Sequence, residues 1–190
     1  MATTVVAVSG ILVVCTANQC RSPVAEAFLE RQFASIGVRV PLRSAGLLDG
    51  GMPSPAEIIE ASSKEGLDLR AHRSVQVETS MLLEADLVIA MARSHVRELS
   101  VREPSCWPKT FTLRELLRRG EGTGGRRRGE PLESWLSEVR AGRRPGDLFG
   151  ADRRDDVSDP MGGALEEFTS MVELLEHLTA DLVDLLFPPE

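Results

Sequence analysis

Short β-branched and apolar runs alternate with segments of helical period along this chain, and that alternation leaves few folds open. "VVAVSGILVV" at 5–14, "VRVPLRSAG" at 38–46, "DLVIAM" at 86–91 and "WPKTFTL" at 107–113 read as strands. The first is β-branched and apolar on both faces, as strands buried in a parallel sheet are. Pro41 in the second points to a sheet edge, because proline cannot donate to a ladder on both sides. Between the strands, Val24, Ala27, Phe28 and Phe33 recur at helical spacing up to Gly37, with Ser22 expected as N-cap and Pro23 at the first helical position. "SPAEIIEASSKEG", a short stretch around Met81 to Leu83, and "RSHVRELSVRE" read as further helices. A last helix is expected from about Gly163 to Leu186, stopped by Pro188 and Pro189. Strands alternating with helices imply right-handed crossovers and a three-layer α/β/α domain. Such sheets bind ligands at the carboxyl ends of their strands, where the strand order reverses.

Residues 120 to 156 break the pattern. "GEGTGGRRRGE" reads as a mobile loop, and the arginines at 126 to 128, 143, 144, 153 and 154 read most simply as solvated charges. Within this irregular insertion "PLESWLSEVR" places Leu132, Trp135, Leu136 and Val139 at helical spacing, a short helix packed on its own domain. At 190 residues the chain is long enough for one domain with a real core, 1–190. Three cysteines are too few for a disulfide framework and fit a reducing compartment. The apolar start lacks a basic lead, so it does not read as a secretory signal, and no stretch approaches a membrane span. A cytoplasmic protein is expected. The formal charge of −7 argues against broad nucleic-acid binding.

Against that background "CTANQCRSP" at 15–23 stands out, with two of the three cysteines five residues apart. A metal half-site, a redox pair, a packed thiol and a nucleophile with an anion cradle all compete for it. Zinc is disfavoured, since Cys15, Cys20, Cys106, His72, His95 and His177 contain no C-x2-C and no H-x3-H pair. The cradle fits the context better. A strand, a short loop and a helix start aim backbone N–H groups and a positive helix end at one point. Cys15 at the start of the loop would have its thiolate stabilised there. Arg21 could fork two oxygens of a phosphate, Asn18 tolerates left-handed backbone, and Ser22 could cap the helix or donate to the thiolate. C-x5-R alone is weak, and a buried strand-end thiol is common.

"VCTANQCRSP" after a first strand resembles the signature of the bacterial low-molecular-weight protein tyrosine phosphatases, V-C-x-G-N-x-C-R-S-P. "RSAG", "ADLVIAM" and "SDPMGG" extend the likeness. The resemblance implies a four-stranded parallel sheet of order 2-1-3-4 and phosphate-ester hydrolysis with no metal and no cofactor. It makes Cys15 the nucleophile, Arg21 the phosphate clamp and Asp159 the general acid and then base. Thr16, Ala17, Asn18, Gln19, Cys20, Arg21 and Ser22 become the phosphate-binding loop, supported by Ser22, Ser44 and His72. Cys20 becomes a partner for reversible oxidation of Cys15, and a phosphorylated protein becomes the substrate. The chain departs from the pattern at Ala17, where glycine is usual. It also lacks aromatic residues in "LLDGG" and after "DP", and contains no tyrosine. Phosphotyrosine is the first substrate reading and phosphoarginine the second. An arsenate reductase would need another cysteine pair downstream, where only Cys106 remains. A phosphate-binding protein that does not hydrolyse is the reading from another class.

Overall fold

The computed structural model describes residues 8, 10–149 and 153–188. Four parallel strands form one sheet: β1 (Ile11–Cys15), β2 (Leu42–Gly46), β3 (Leu87–Ala90) and β4 (Thr110–Thr112), in the spatial order β2-β1-β3-β4. That is the expected order, with β2 on the edge. Val13 is paired with Ser44 on one side and Ile89 on the other, and Ile89 with Phe111. The part of the first apolar run at 5–7, and Pro189, lie outside the described residues.

Helices α1 (Arg21–Ser35), α2 (Ala56–Lys64), α3 (Thr79–Glu84), α4 (Arg93–Arg102), α5 (Leu113–Thr123), α6 (Leu132–Val139) and α7 (Leu165–Leu186) cover the sheet. Successive strand residues face opposite sides, so β1 feeds two cores. Ile11, Val13 and Cys15 join Phe28 of α1, Leu116 of α5 and Val172 and Leu175 of α7. Leu12 and Val14 join Leu82 of α3, Leu99 of α4 and Cys106. Cys15 and Cys106 therefore belong to opposite faces, and the described cysteines are all free thiols.

Several local expectations shift. Helix α1 begins at Arg21 with Cys20 before it, and no side chain caps it. Ser22 cannot cap because its hydroxyl is engaged with Cys15 and Asn18, and Pro23 consequently sits in the first turn rather than opening it. "WPK" is not strand: a 3-10 turn at Pro104–Lys109, opened by Glu103 accepting from Ser105 N at 3.0 Å, delays β4 to Thr110.

The expected loop at 120 starts instead as the end of α5. Thr112 Oγ1 caps this helix by accepting from Glu115 N at 3.0 Å. A Cβ on Gly120 would lie 2.9 Å from Leu185 and 3.1 Å from Trp135, so glycine here allows close packing of α6 and α7 rather than breaking the helix. The short helix α6 buries Leu132, Trp135, Leu136 and Val139, as its spacing predicts. Arg126 and Arg143 are not solvated. Arg126 Nε donates to Leu186 O at 2.9 Å, and Arg143 is buried against Glu115.

Candidate active site

Cys15 is the last residue of β1, paired in register with Gly46 at the end of β2. The loop between Cys15 and α1 is laid against that second strand: Leu47 N and Leu48 N both donate to Thr16 O, at 2.7 and 3.0 Å. A Cβ on Gly46 would lie 2.7 Å from Ala17 C and Asn18 N, backbone atoms that cannot swing aside. The glycine of "SAG" is thus required by the loop's closeness. Gly46→Ala is expected to cost about 1–3 kcal/mol by overpacking and to displace the loop, lowering kcat/KM by about a hundredfold. Thermal melting and steady-state turnover of the same variant check this. A drop in activity below about fivefold would contradict the tight seat.

Asn18 organises the loop from inside. It is fully buried at φ +53, the only non-glycine residue with positive φ among those described. Ala17 therefore needs no left-handed backbone, and its departure from glycine introduces no backbone strain. Asn18 Nδ2 donates to Ser22 Oγ at 2.9 Å and to Ser44 Oγ at 2.8 Å, and its Oδ1 accepts from Val75 N at 2.8 Å. His72 Nε2 lies 2.6 Å from Asn18 O. Ser22, Ser44 and His72 are thus brought onto one residue.

The protons in this network run in one direction. Ser44 donates to Glu26 Oε2 at 2.5 Å, so its oxygen accepts from Asn18. Asn18 in turn donates to Ser22, whose own proton is left for Cys15 Sγ at 3.1 Å or Ala45 O at 3.3 Å. Asn18 N adds a second donor to Cys15 Sγ at 3.2 Å. Glu26, whose proton affinity is raised by burial, anchors the outer end of the chain. Sequence reading did not single it out, because a glutamate on a helix is ordinary until its buried partner is known.

Arg21 closes the other side. It is 4% exposed, with Nη1 donating to Val157 O at 3.2 Å and Nη2 to Thr16 Oγ1 at 3.1 Å and to Asp159 Oδ2. Asp159, 138 residues away in sequence, is thereby joined to the loop in an ion pair with its own side chain 39% exposed. Its other oxygen accepts from Met161 N at 3.2 Å. His95 Nε2 lies 3.0 Å from Thr16 Oγ1. Burial, then the Arg21 charge, push the His95 imidazole down to about 4, so it is neutral at physiological pH. His95 Nδ1 is buried without a partner. An unpaired N–H costs more than an unpaired lone pair, which favours Nε2–H donating to Thr16. The contact was invisible in sequence, since a lone histidine on a helix carries no signal of what it faces.

The two loop cysteines differ in environment. Burial, followed by the neighbouring Cys15 and Asp159, pushes the Cys20 thiol up to about 12, so it stays protonated. Cys20 Sγ lies 3.4 Å from Met161 Sδ. Gln19 turns outward to donate to Pro53 O at 3.1 Å. Around the loop, Leu48, Met52, Val75 and Met161 are exposed apolar side chains on segments bonded to it or to Asp159. Among the described residues no cluster of three or more histidine, cysteine or acidic side chains is placed to hold a metal ion.

The family model described as low molecular weight phosphotyrosine protein phosphatase matches residues 10–122. A probable low molecular weight protein-tyrosine-phosphatase, EpsP of Ralstonia solanacearum, is 38% identical over 106 residues, 56% of this chain and 71% of that protein. A protein-arginine-phosphatase of Geobacillus stearothermophilus is 30% identical over 177 residues, covering 93% of this chain and 95% of its own. The solved low molecular weight protein tyrosine phosphatase from T. tengcongensis superposes with a TM-score of 0.70 at 30% identity, over 92% of this chain and 97% of that one. A YwlE mutant from Bacillus subtilis gives the same TM-score at 26% identity, over 92% and 96% of the two chains. A cysteine loop seated on Gly46, the matching sheet order and these likenesses agree: the chain belongs to the low molecular weight phosphotyrosine protein phosphatase family.

Proposed function

We propose that this protein is a cytoplasmic, single-domain phosphatase that hydrolyses phosphotyrosine in proteins through a cysteinyl-phosphate intermediate, without a metal. One observation carries the reading: Cys15, Arg21 and Asp159 are gathered around one loop that already directs donors at the thiol sulfur. Cys15 attacks phosphorus in line, forming the S–P bond as the ester P–O bond breaks. Arg21 and the loop amides from Thr16 to Ser22 hold the equatorial oxygens as charge develops there. Protonated Asp159 gives its proton to the leaving oxygen and later takes one from the water that cleaves the S–P bond, releasing phosphate and the thiolate.

The Arg21–Asp159 pair fits this sequence as a resting arrangement. An arriving phosphoryl dianion competes for the guanidinium and frees Asp159. Nη1 and Nη2 keep Val157 O and Thr16 Oγ1 as fixed anchors meanwhile.

Reach argues for a long side chain. Cys15 is 2% exposed, while Leu48 and Met161, on segments bonded to the loop or to Asp159, are exposed. A phosphoserine carries its ester one carbon from the backbone, so seating its phosphorus on that sulfur brings the substrate backbone closer to the protein than a long side chain does. Phosphoarginine remains the second reading, on two observations. The protein-arginine-phosphatase relatives align over 90% or more of the chain, and the rim offers thioether and aliphatic side chains rather than aromatic ones. Matched phosphotyrosine, phosphoarginine and phosphoserine peptides decide between them. Faster phosphate release from phosphotyrosine is the expected result. Faster release from phosphoarginine moves the substrate and keeps the mechanism, and release from none of them overturns the proposal.

A further inference from the structure

A cleft of about 360 Å3 lies between the starts of α4 and α5 and the segment leading to Asp159. Six arginines and three carboxylates line it, an excess of three positive charges on a chain whose formal charge is −7. Counting Asp156 as well, whose Oδ1 accepts from Arg93 N at 2.7 Å behind the cleft, an excess of two remains.

The floor is rigid. Glu115 accepts from Arg119 at 3.1 Å and from Arg143 at 2.8 and 3.0 Å. The Arg143 guanidinium carbon lies 3.8 Å from the Trp107 ring centroid and 4.4 Å from that of Phe111. Asp155 holds Arg118 with two bonds of 3.2 and 2.8 Å. Arg144 and Arg154 are exposed at the edge. Guanidinium groups repel one another, and a net-positive cluster on a fixed base is the arrangement that forks onto carboxylates or phosphates.

Position relates the cleft to the substrate. Arg93 opens α4 just past β3, Glu115 lies in the first turn of α5 just past β4, and Asp155 stands four residues before Asp159. The cleft is thus at the same end of the sheet as Cys15. Two strand spacings, β1 to β3 to β4, come to about 10 Å. Extended peptide covers that in roughly three to four residues.

We propose that this cleft docks acidic side chains of the phosphoprotein substrate, three to four residues from the phosphorylated residue. The inference rests on the phosphatase reading above. It gives these arginines a task in selecting substrates: the catalytic loop takes the phosphoryl group and the arginine cleft reads the charge beside it.

The test compares phosphopeptides of one sequence with an Asp pair four residues before the phosphorylated residue, four residues after it, or replaced by Asn. Wild type, Arg144→Glu and Arg154→Glu are assayed, each normalised to its own turnover of p-nitrophenyl phosphate. One Asp placement is expected to raise wild-type kcat/KM by about three- to tenfold over Asn at low salt. That gain falls below about twofold near 0.5 M salt, where screening is short-ranged, and the charge reversals abolish or invert it. No preference in wild type, or one that survives both reversals, overturns the proposal. Should wild type leave p-nitrophenyl phosphate untouched, the phosphatase reading fails by itself. Fluorescence anisotropy of the Asp and Asn peptides then decides docking by the same contrast.

Discussion

Cys15→Ser is expected to abolish phosphate release, by at least about a thousandfold in kcat, while leaving the fold and phosphopeptide binding in place. The fold survives because the replacement is nearly isosteric and the new hydroxyl inherits partners from Asn18 N and Ser22 Oγ, now 3.2 and 3.1 Å from the sulfur. Activity does not survive, because a serine hydroxyl is far less acidic than a thiol and the weaker nucleophile, and no side chain among the described residues is placed on Cys15 Sγ as a base to take its proton. Cys20→Ser gives the internal control. Its thiol is held protonated by burial and by neighbouring negative groups, so it does not serve as nucleophile, and its loss is expected to change turnover only a few-fold. Steady-state release with calorimetric binding of the same phosphopeptide checks both. Residual Cys15→Ser turnover within tenfold of wild type, or a Cys20→Ser loss as deep as that of Cys15→Ser, would reject the assignment of the nucleophile.

How far the sequence revealed this site depended on distance along the chain. The stretch from Cys15 to Pro23 is contiguous, so its strand, loop and helix could be read together. Ser44 and His72 were legible only through the family resemblance, because nothing local marks a serine at a strand end or a histidine in a loop as a partner of Asn18. Glu26 and His95 were not legible at all. One reaches the loop through Ser44 and the other through Thr16, a residue 79 positions away. The arginines show the same limit with opposite consequences. A run of positive charge reads as solvated surface, yet Arg143 finds Glu115 across 28 residues and packs between two rings. Ser22 shows a related limit. Its spacing suits a helix cap or a donor to the thiol, and only the closed loop shows its hydroxyl held by Cys15 and Asn18.

Asp159→Asn is expected to separate chemistry from binding, with opposite signs. Without a proton to give the leaving oxygen, kcat for a phosphotyrosine peptide should fall by about 10^2- to 10^4-fold. An ester with a much more acidic leaving group, such as p-nitrophenyl phosphate, needs that proton less and should lose less. Affinity for phosphate or vanadate should rise. In the resting enzyme the Asp159 carboxylate holds Arg21 Nη2, and an incoming oxyanion must displace it. Asparagine keeps the shape and removes the competing charge, so the guanidinium is more available to the ligand. Turnover with the two esters and titration with vanadate measure both effects on one preparation. Weaker vanadate binding together with lower kcat would mean that Asp159 serves mainly to hold Arg21 in place. Tighter binding with slower turnover is what a proton donor resting on the phosphate clamp produces.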